Sequence, residues 1–164
     1  MHEPLNFTEA AARARVMATA LALGRSLDLW SLALVMLALA GLLWVTLPLT
    51  TSIGLLVSIL AGFMQKLFAL RVAFDAALFR HWAEAWSHDA TQGRDPTALD
   101  ADLRIFDQAL AACGMGKTRD GAVRDLRSRL RGAMRLLRRQ ALALVIQFAA
   151  VAVAMVAILL SGAG

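Results

Sequence analysis

Three long runs of apolar residues punctuate the chain. Residues 29–47 carry no charge, residues 53–65 are equally free of it and continue past Lys66 to residue 70, and residues 142–160 form a third uncharged run. A helix needs about 20 apolar residues to cross roughly 30 Å of hydrocarbon, so each run is long enough to span a bilayer. The first run is too long and bulky for a cleaved leader, and no small-x-small site follows it in residues 46–51. It therefore reads as a retained anchor, with Trp30 and Trp44 fourteen residues apart, about 21 Å along a helix, placing indoles near opposite interfaces.

Local signals divide the remainder. Asn6 and Glu9 form a capping box for an Ala-rich helix over residues 6–24, read as an interfacial helix or as a cytoplasmic extension of the first span. Pro48 ends that span, and the few uncharged residues that follow allow only a turn, so the first two spans form a hairpin. Neither Gly nor Pro occurs in residues 66–89, which predicts one helix leaving the bilayer as a stalk. Gln92, Gly93, Arg94 and Asp95 break it. Asp95 then caps a helix with Pro96 at its first position, and Leu99, Leu103, Phe106, Leu110 and Cys113 repeat at 4-3-4-3 spacing. After Gly114, Met115 and Gly116, a helix starting at Thr118 or Asp120 places Val123, Leu126, Leu130 and Leu137 on one face and runs straight into the third span.

The expected fold is thus an all-α integral membrane protein with three transmembrane helices, N-in/C-out, and a small cytoplasmic helical hairpin between the second and third spans. Its segments are an N-terminal interfacial helix (1–27), the first span (28–47), an outward-facing turn (48–52), the second span (53–72), a cytoplasmic stalk and hairpin (73–140), the third span (141–161) and an outward-facing tail (162–164). The orientation rests on charge. Arg13, Arg15 and Arg25 precede the first span, Lys66, Arg71 and Arg80 lie at and beyond the end of the second, and Arg131, Arg135, Arg138 and Arg139 precede the third. All three spans agree under the positive-inside rule, which implies an inner (plasma) membrane protein with a cytoplasmic N-terminus and central domain.

Composition agrees: 59% of residues are apolar, 18% are charged and the net charge is +5. With Cys113 the only cysteine there is no intrachain disulfide, and its place on an apolar stripe suits a small hydrophobe rather than a reactive thiol. Residues 114–118, Gly-Met-Gly-Lys-Thr, end like a phosphate-binding loop, but Ala111 stands where the first glycine is required and a helix feeds in, so a glycine turn is expected. His81, Glu84 and His88 fall within about 60° of one helix face and are candidate metal ligands; three ligands do not complete a structural site, and Trp82 and Trp86 beside them suit a helix passing through headgroups. No redox pair or catalytic triad can be assembled, no cofactor is implied, and no enzyme is expected.

Two features point to partners. Gly54, Ser58 and Gly62 form a small-xxx-small stripe on the second span, suited to close packing against another helix, from another integral subunit or a second copy. Arg119, Arg124, Arg127, Arg129, Arg131, Arg135, Arg138 and Arg139 make the segment before the third span strongly basic, opposite a helix bearing Asp100, Asp102 and Asp107. Such arginines can contact anionic lipid headgroups or an acidic cytoplasmic protein; without interleaved aromatics they do not suggest nucleic acid. The function expected is a non-enzymatic accessory or scaffold subunit of a larger inner-membrane complex, with a holin-like or pore-forming oligomer and a metal-binding membrane protein as the alternatives.

Overall fold

The computed structural model describes residues 6–44, 47–95, 97–112 and 126–161. Every regular element among them is an α-helix: α1 (Phe7–Ala22), α2 (Gly24–Trp44), α3 (Leu49–Thr91), α4 (Ala98–Ala112) and α5 (Leu126–Ser161). Three stretches are long and apolar enough to cross a membrane: Phe7–Leu43, which contains α1 and most of α2, Leu49–Thr91 and Leu126–Ser161. Most of each apolar window is exposed.

Helix ends follow the local chemistry. Asn6 Oδ1 accepts the N–H of Glu9 at 2.8 Å, one half of the capping box, and Glu9 pairs with Arg13 one turn on. α1 gives way to α2 at Leu23, whose carbonyl accepts the N–H of both Ser26 and Leu27. α3 runs unbroken for 43 residues and stops at Gly93, whose φ of +69° is the left-handed conformation that glycine adopts without a steric penalty. Asp95 Oδ1 accepts the N–H of Thr97 at 3.0 Å, and this bond holds the carboxyl below its usual range. The helix it introduces begins at Ala98, two residues later than the Asp95–Pro96 pattern suggests.

The chain forms two compact units. One comprises Met1–Ala20 and Asp75–Met134, the other Leu21–Phe74 and Arg135–Gly164; we call them the aromatic and the apolar unit. Along α3 the residues at 51, 58, 65, 72, 79 and 86 are all nearly inaccessible, and along α5 those at 126, 133, 140, 147 and 154. A strict seven-residue repeat is the mark of helices packed with a left-handed supercoil.

In the aromatic unit, Trp82 stacks on Trp86 with ring centroids 5.2 Å apart and meets the edges of Phe79 at 5.6 Å and Phe106 at 5.0 Å. Phe79, Trp82 and Trp86 are buried. These tryptophans are therefore core residues, which corrects their reading as headgroup neighbours: on a helix carrying Phe79, Trp82 and Trp86 at three- and four-residue spacing, the rings share one face and pack. The guanidinium of Arg129 lies 5.6 Å from the ring centres of both Trp82 and Phe106, and it pairs with Asp107 at 2.6 Å. That pair realises the attraction expected between the acidic and basic helices. α1 is more than an amphipathic surface helix, for Phe7, Ala10, Ala11, Ala14 and Ala18 are buried, and Arg15 donates to Ser87 Oγ at 3.1 Å.

Candidate functional site

In the apolar unit, contacts between helices set a register. A Cβ on Gly24 would lie 2.9 Å from Val72 and 3.0 Å from Gln140, one on Gly41 would lie 3.2 Å from Leu55, and one on Gly62 would lie 2.3 Å from Val35 and 2.8 Å from Gln147. Asp28 pairs with Lys66. Numbers that rise on α2 fall on α3, so these helices are antiparallel. α2 and α5 are parallel, since Gly24 meets Gln140 and Ser31 meets Gln147, while Ala38 and Ala154 share one cluster with Leu55.

This register decides what the small-residue stripe does. A Cβ on Gly54 would lie 3.2 Å from the carbonyl of Ala150 and from Ala154 Cβ, Ser58 is inaccessible, and Gly62 is pressed against Val35 and Gln147. The stripe packs against this chain's own α2 and α5. The helices that meet the stripe are thus those of the two other spans in the same chain.

The interior also carries polar side chains that a search for charges overlooks. Ser31 Oγ donates to Gln147 Oε1 at 2.7 Å, and Gln147 Nε2 donates to the Ser31 carbonyl at 3.1 Å. Gln140 Nε2 donates to the Gly24 carbonyl at 2.8 Å. Thr51, Ser58 and Gln65 are buried on α3, and neither amide atom of Gln65 has a hydrogen-bond partner among the described residues. Outside this interior set, the part-exposed Lys66 Nζ donates to both oxygens of Asp28 at 2.7 Å. The signal for this set is the seven-residue spacing of Thr51, Ser58 and Gln65 and of Gln140 and Gln147, invisible when only charges and small residues are sought.

The two glutamines make opposite predictions. Gln147→Leu leaves the Ser31 hydroxyl without its acceptor and is expected to destabilise the apolar unit by about 1–2 kcal/mol. Gln65→Leu removes a buried amide that has no partner and is expected to stabilise it by about 1–3 kcal/mol. Reversible unfolding in detergent micelles checks both, and a loss of stability in Gln65→Leu would show that its amide has a partner.

The exposed cations are the remaining chemistry. Arg127, Arg131, Arg135, Arg138 and Arg139 are exposed on α5, and Arg25 is exposed on α2. Arg119, Arg124, Cys113 and the Gly114–Thr118 string lie outside the described residues. His81, Glu84 and His88 are exposed on α3, and no three His, Cys, Asp or Glu among the described residues come together as metal ligands. Helical spacing alone puts those three near one face, but it does not converge their donor atoms.

No family model matches the chain, and neither the curated proteins nor the solved structures contain a match.

Among the described residues the aromatic unit pairs much of its charge internally: Arg94 bonds Asp89 at 2.8 Å and Asp102 at 3.5 Å, and its guanidinium is held more basic than usual, chiefly by the bond to Asp89. The apolar unit cannot do the same. Its cations are Arg25, Lys66, Arg71, Arg135, Arg138 and Arg139, and its sole carboxylate is Asp28.

Proposed function

We propose that the chain is a multi-pass, non-enzymatic accessory or scaffold subunit of an inner-membrane assembly, its N-terminus and residues 73–140 cytoplasmic and its first turn and C-terminus outward. One observation supports this most. The six cations of the apolar unit fall towards the end where Gly24, Val72 and Gln140 meet, whereas the end where Gly41 meets Leu55 and Ala38 clusters with Ala154 has no charge. Its outer faces expose Leu37, Leu60, Phe63, Val145, Val153 and Leu159, as a hydrocarbon environment requires. Backbone polar groups within the helices bond to one another, as a bilayer-spanning bundle needs, and the charge bias supports the proposed orientation.

The protein-docking surface in this reading is the basic part of the aromatic unit, with Arg127 and Arg131 exposed on α5 and an acidic cytoplasmic protein as the occupant. A photo-crosslinking residue at position 127 in cells is expected to yield a discrete protein adduct; capture of lipid alone counts against docking. Orientation is tested separately in a Cys113→Ser background. Ser161→Cys is expected to react with an impermeant maleimide from outside, and Arg127→Cys only after permeabilisation. The reverse pattern sinks the proposed topology.

The pore alternative gains nothing from the interior polar side chains. Thr51, Ser58 and Gln65 are buried inside one chain, and the outward faces that would line a ring of copies are apolar. Induced expression is therefore expected to leave the membrane potential intact. The metal alternative draws no support from the arrangement of His81, Glu84 and His88.

A further inference from the structure

We infer that Arg25, Arg135, Arg138 and Arg139 form a collar that binds the headgroups of anionic phospholipids; this rests on the proposed membrane insertion. All four belong to the apolar unit and all are exposed. The hydrogen bond from Gln140 to the Gly24 carbonyl brings the start of α2 beside the part of α5 that follows Arg139. Arg25 is next to one member of that contact and Arg139 to the other, so cations from two helices gather at one level of the bundle.

The unit has no carboxylate to neutralise them. Asp28 is its only acid, and both its oxygens lie 2.7 Å from Lys66 Nζ. Among the described residues, none of the four arginines has a carboxylate within 4 Å. Four exposed guanidinium groups at one level of the bundle, none with a carboxylate within 4 Å among the described residues, form a surface suited to external anions.

The neighbouring apolar surface specifies which anions. Leu29 and Trp30 are exposed just beyond Arg25, and Leu142 and Val145 just beyond Arg139. Arg25 precedes Leu29 by four residues and Arg139 precedes Leu142 by three, axial offsets of about 6 and 4.5 Å. Cations this close to the hydrocarbon boundary stand at the depth of phosphates, and their stems extend along apolar surface while the heads reach polar groups. A guanidinium also matches two phosphate oxygens at once. A soluble acidic protein would have to displace headgroups to reach this level, which favours lipid over protein here.

Trp30 supplies the readout, because it is 62% exposed whereas Trp82 and Trp86 are buried in the aromatic unit. The full chain carrying Trp44→Phe is reconstituted into phosphatidylcholine bilayers, and either dibrominated phosphatidylglycerol or dibrominated phosphatidylcholine is titrated in. Phosphatidylglycerol is expected to quench Trp30 at the lower mole fraction. The preference should fall by about fivefold for each arginine replaced by Gln, approaching parity in R135Q/R138Q/R139Q. The corresponding triple Lys variant should retain most of it. Circular dichroism confirms that the variants fold, and R25Q provides the same readout should the triple Gln variant fail.

Equal quenching by the two lipids in the starting chain overturns the collar and leaves insertion standing. Quenching by neither overturns insertion itself. A preference unchanged in R25Q and in the triple Gln variant also overturns the collar. If millimolar inorganic phosphate abolishes the preference in every bilayer at constant ionic strength, the arginines bind free phosphate and the lipid assignment is wrong.

Discussion

Arg129→Ala is expected to destabilise the aromatic unit by about 2–3 kcal/mol, because it breaks a part-buried ion pair and removes the packing of the guanidinium on two rings. The Arg129 side chain is only 10% exposed, and its guanidinium lies 2.6 Å from Asp107 and beside the rings of Trp82 and Phe106. Truncation leaves the Asp107 carboxylate without that cation and opens a gap beside the stacked indoles. Arg129→Lys keeps the charge but loses the planar group that lies against the rings, so an intermediate loss of about 1–2 kcal/mol is expected. Arg131→Ala, at an exposed position on the same helix, should stay within about 0.5 kcal/mol of the starting protein. Near-ultraviolet dichroism and tryptophan fluorescence report the transition, since Trp82 and Trp86 are in this core. A loss below 1 kcal/mol for Arg129→Ala would show that Asp107 is fully compensated by other partners.

The second large effect belongs to Gly62. Its missing Cβ would lie 2.3 Å from Val35 Cγ2 and 2.8 Å from Gln147 Nε2, distances that force a neighbour to move. Neither neighbour moves freely. Val35 is β-branched and stiff about χ1, and Gln147 Nε2 is held by its bond to the Ser31 carbonyl. Gly62→Val is therefore expected to cost about 3 kcal/mol, at the upper end for overpacking. Gly62→Ala should cost less, and Val35→Ala in the same chain should recover at least about 1 kcal/mol of that loss, a coupling that a double-mutant cycle in micelles measures. Gly132→Ala is the control. Nothing among the described residues lies within 4 Å of its would-be Cβ, so the better helix propensity of alanine should add up to about 1 kcal/mol. Equal effects at positions 62 and 132 would falsify the close approach of α2 and α5 to Gly62.

These two sites differ in how far the chain's pattern reveals them. Gly62 is conspicuous as one of three small residues at four-residue spacing, and close helix contact follows from that spacing alone. Which helix makes the contact does not follow from that spacing. Arg129 lies among many arginines, and neither its charge nor its helical position distinguishes it from Arg127 or Arg131. Only packing does: it is the arginine brought between Trp82, Phe106 and Asp107. The same holds for Gln140 and Gln147. Their heptad spacing was available in the chain, but a glutamine scores as merely polar, and its bond to a residue 116 positions away depends on the register of α2 against α5.

Local composition by itself determined the all-helical class, the three apolar stretches long enough to cross a membrane, the uninterrupted course of α3 through residues 66–89, and the collection of arginines before the last apolar run. Each follows from hydrophobic run length, from the absence of Gly and Pro, or from the capping chemistry of neighbours, all of which act within a few turns. Only the tertiary structure decided that Trp82 and Trp86 are core, that the small-residue stripe is consumed by α2 and α5, that Asp28 is taken by Lys66, and that Arg25, Arg135, Arg138 and Arg139 have no carboxylate within 4 Å among the described residues. Those outcomes depend on which side chains meet across distant parts of the chain, and charge complementarity and close packing act on meetings in space rather than on intervals in sequence.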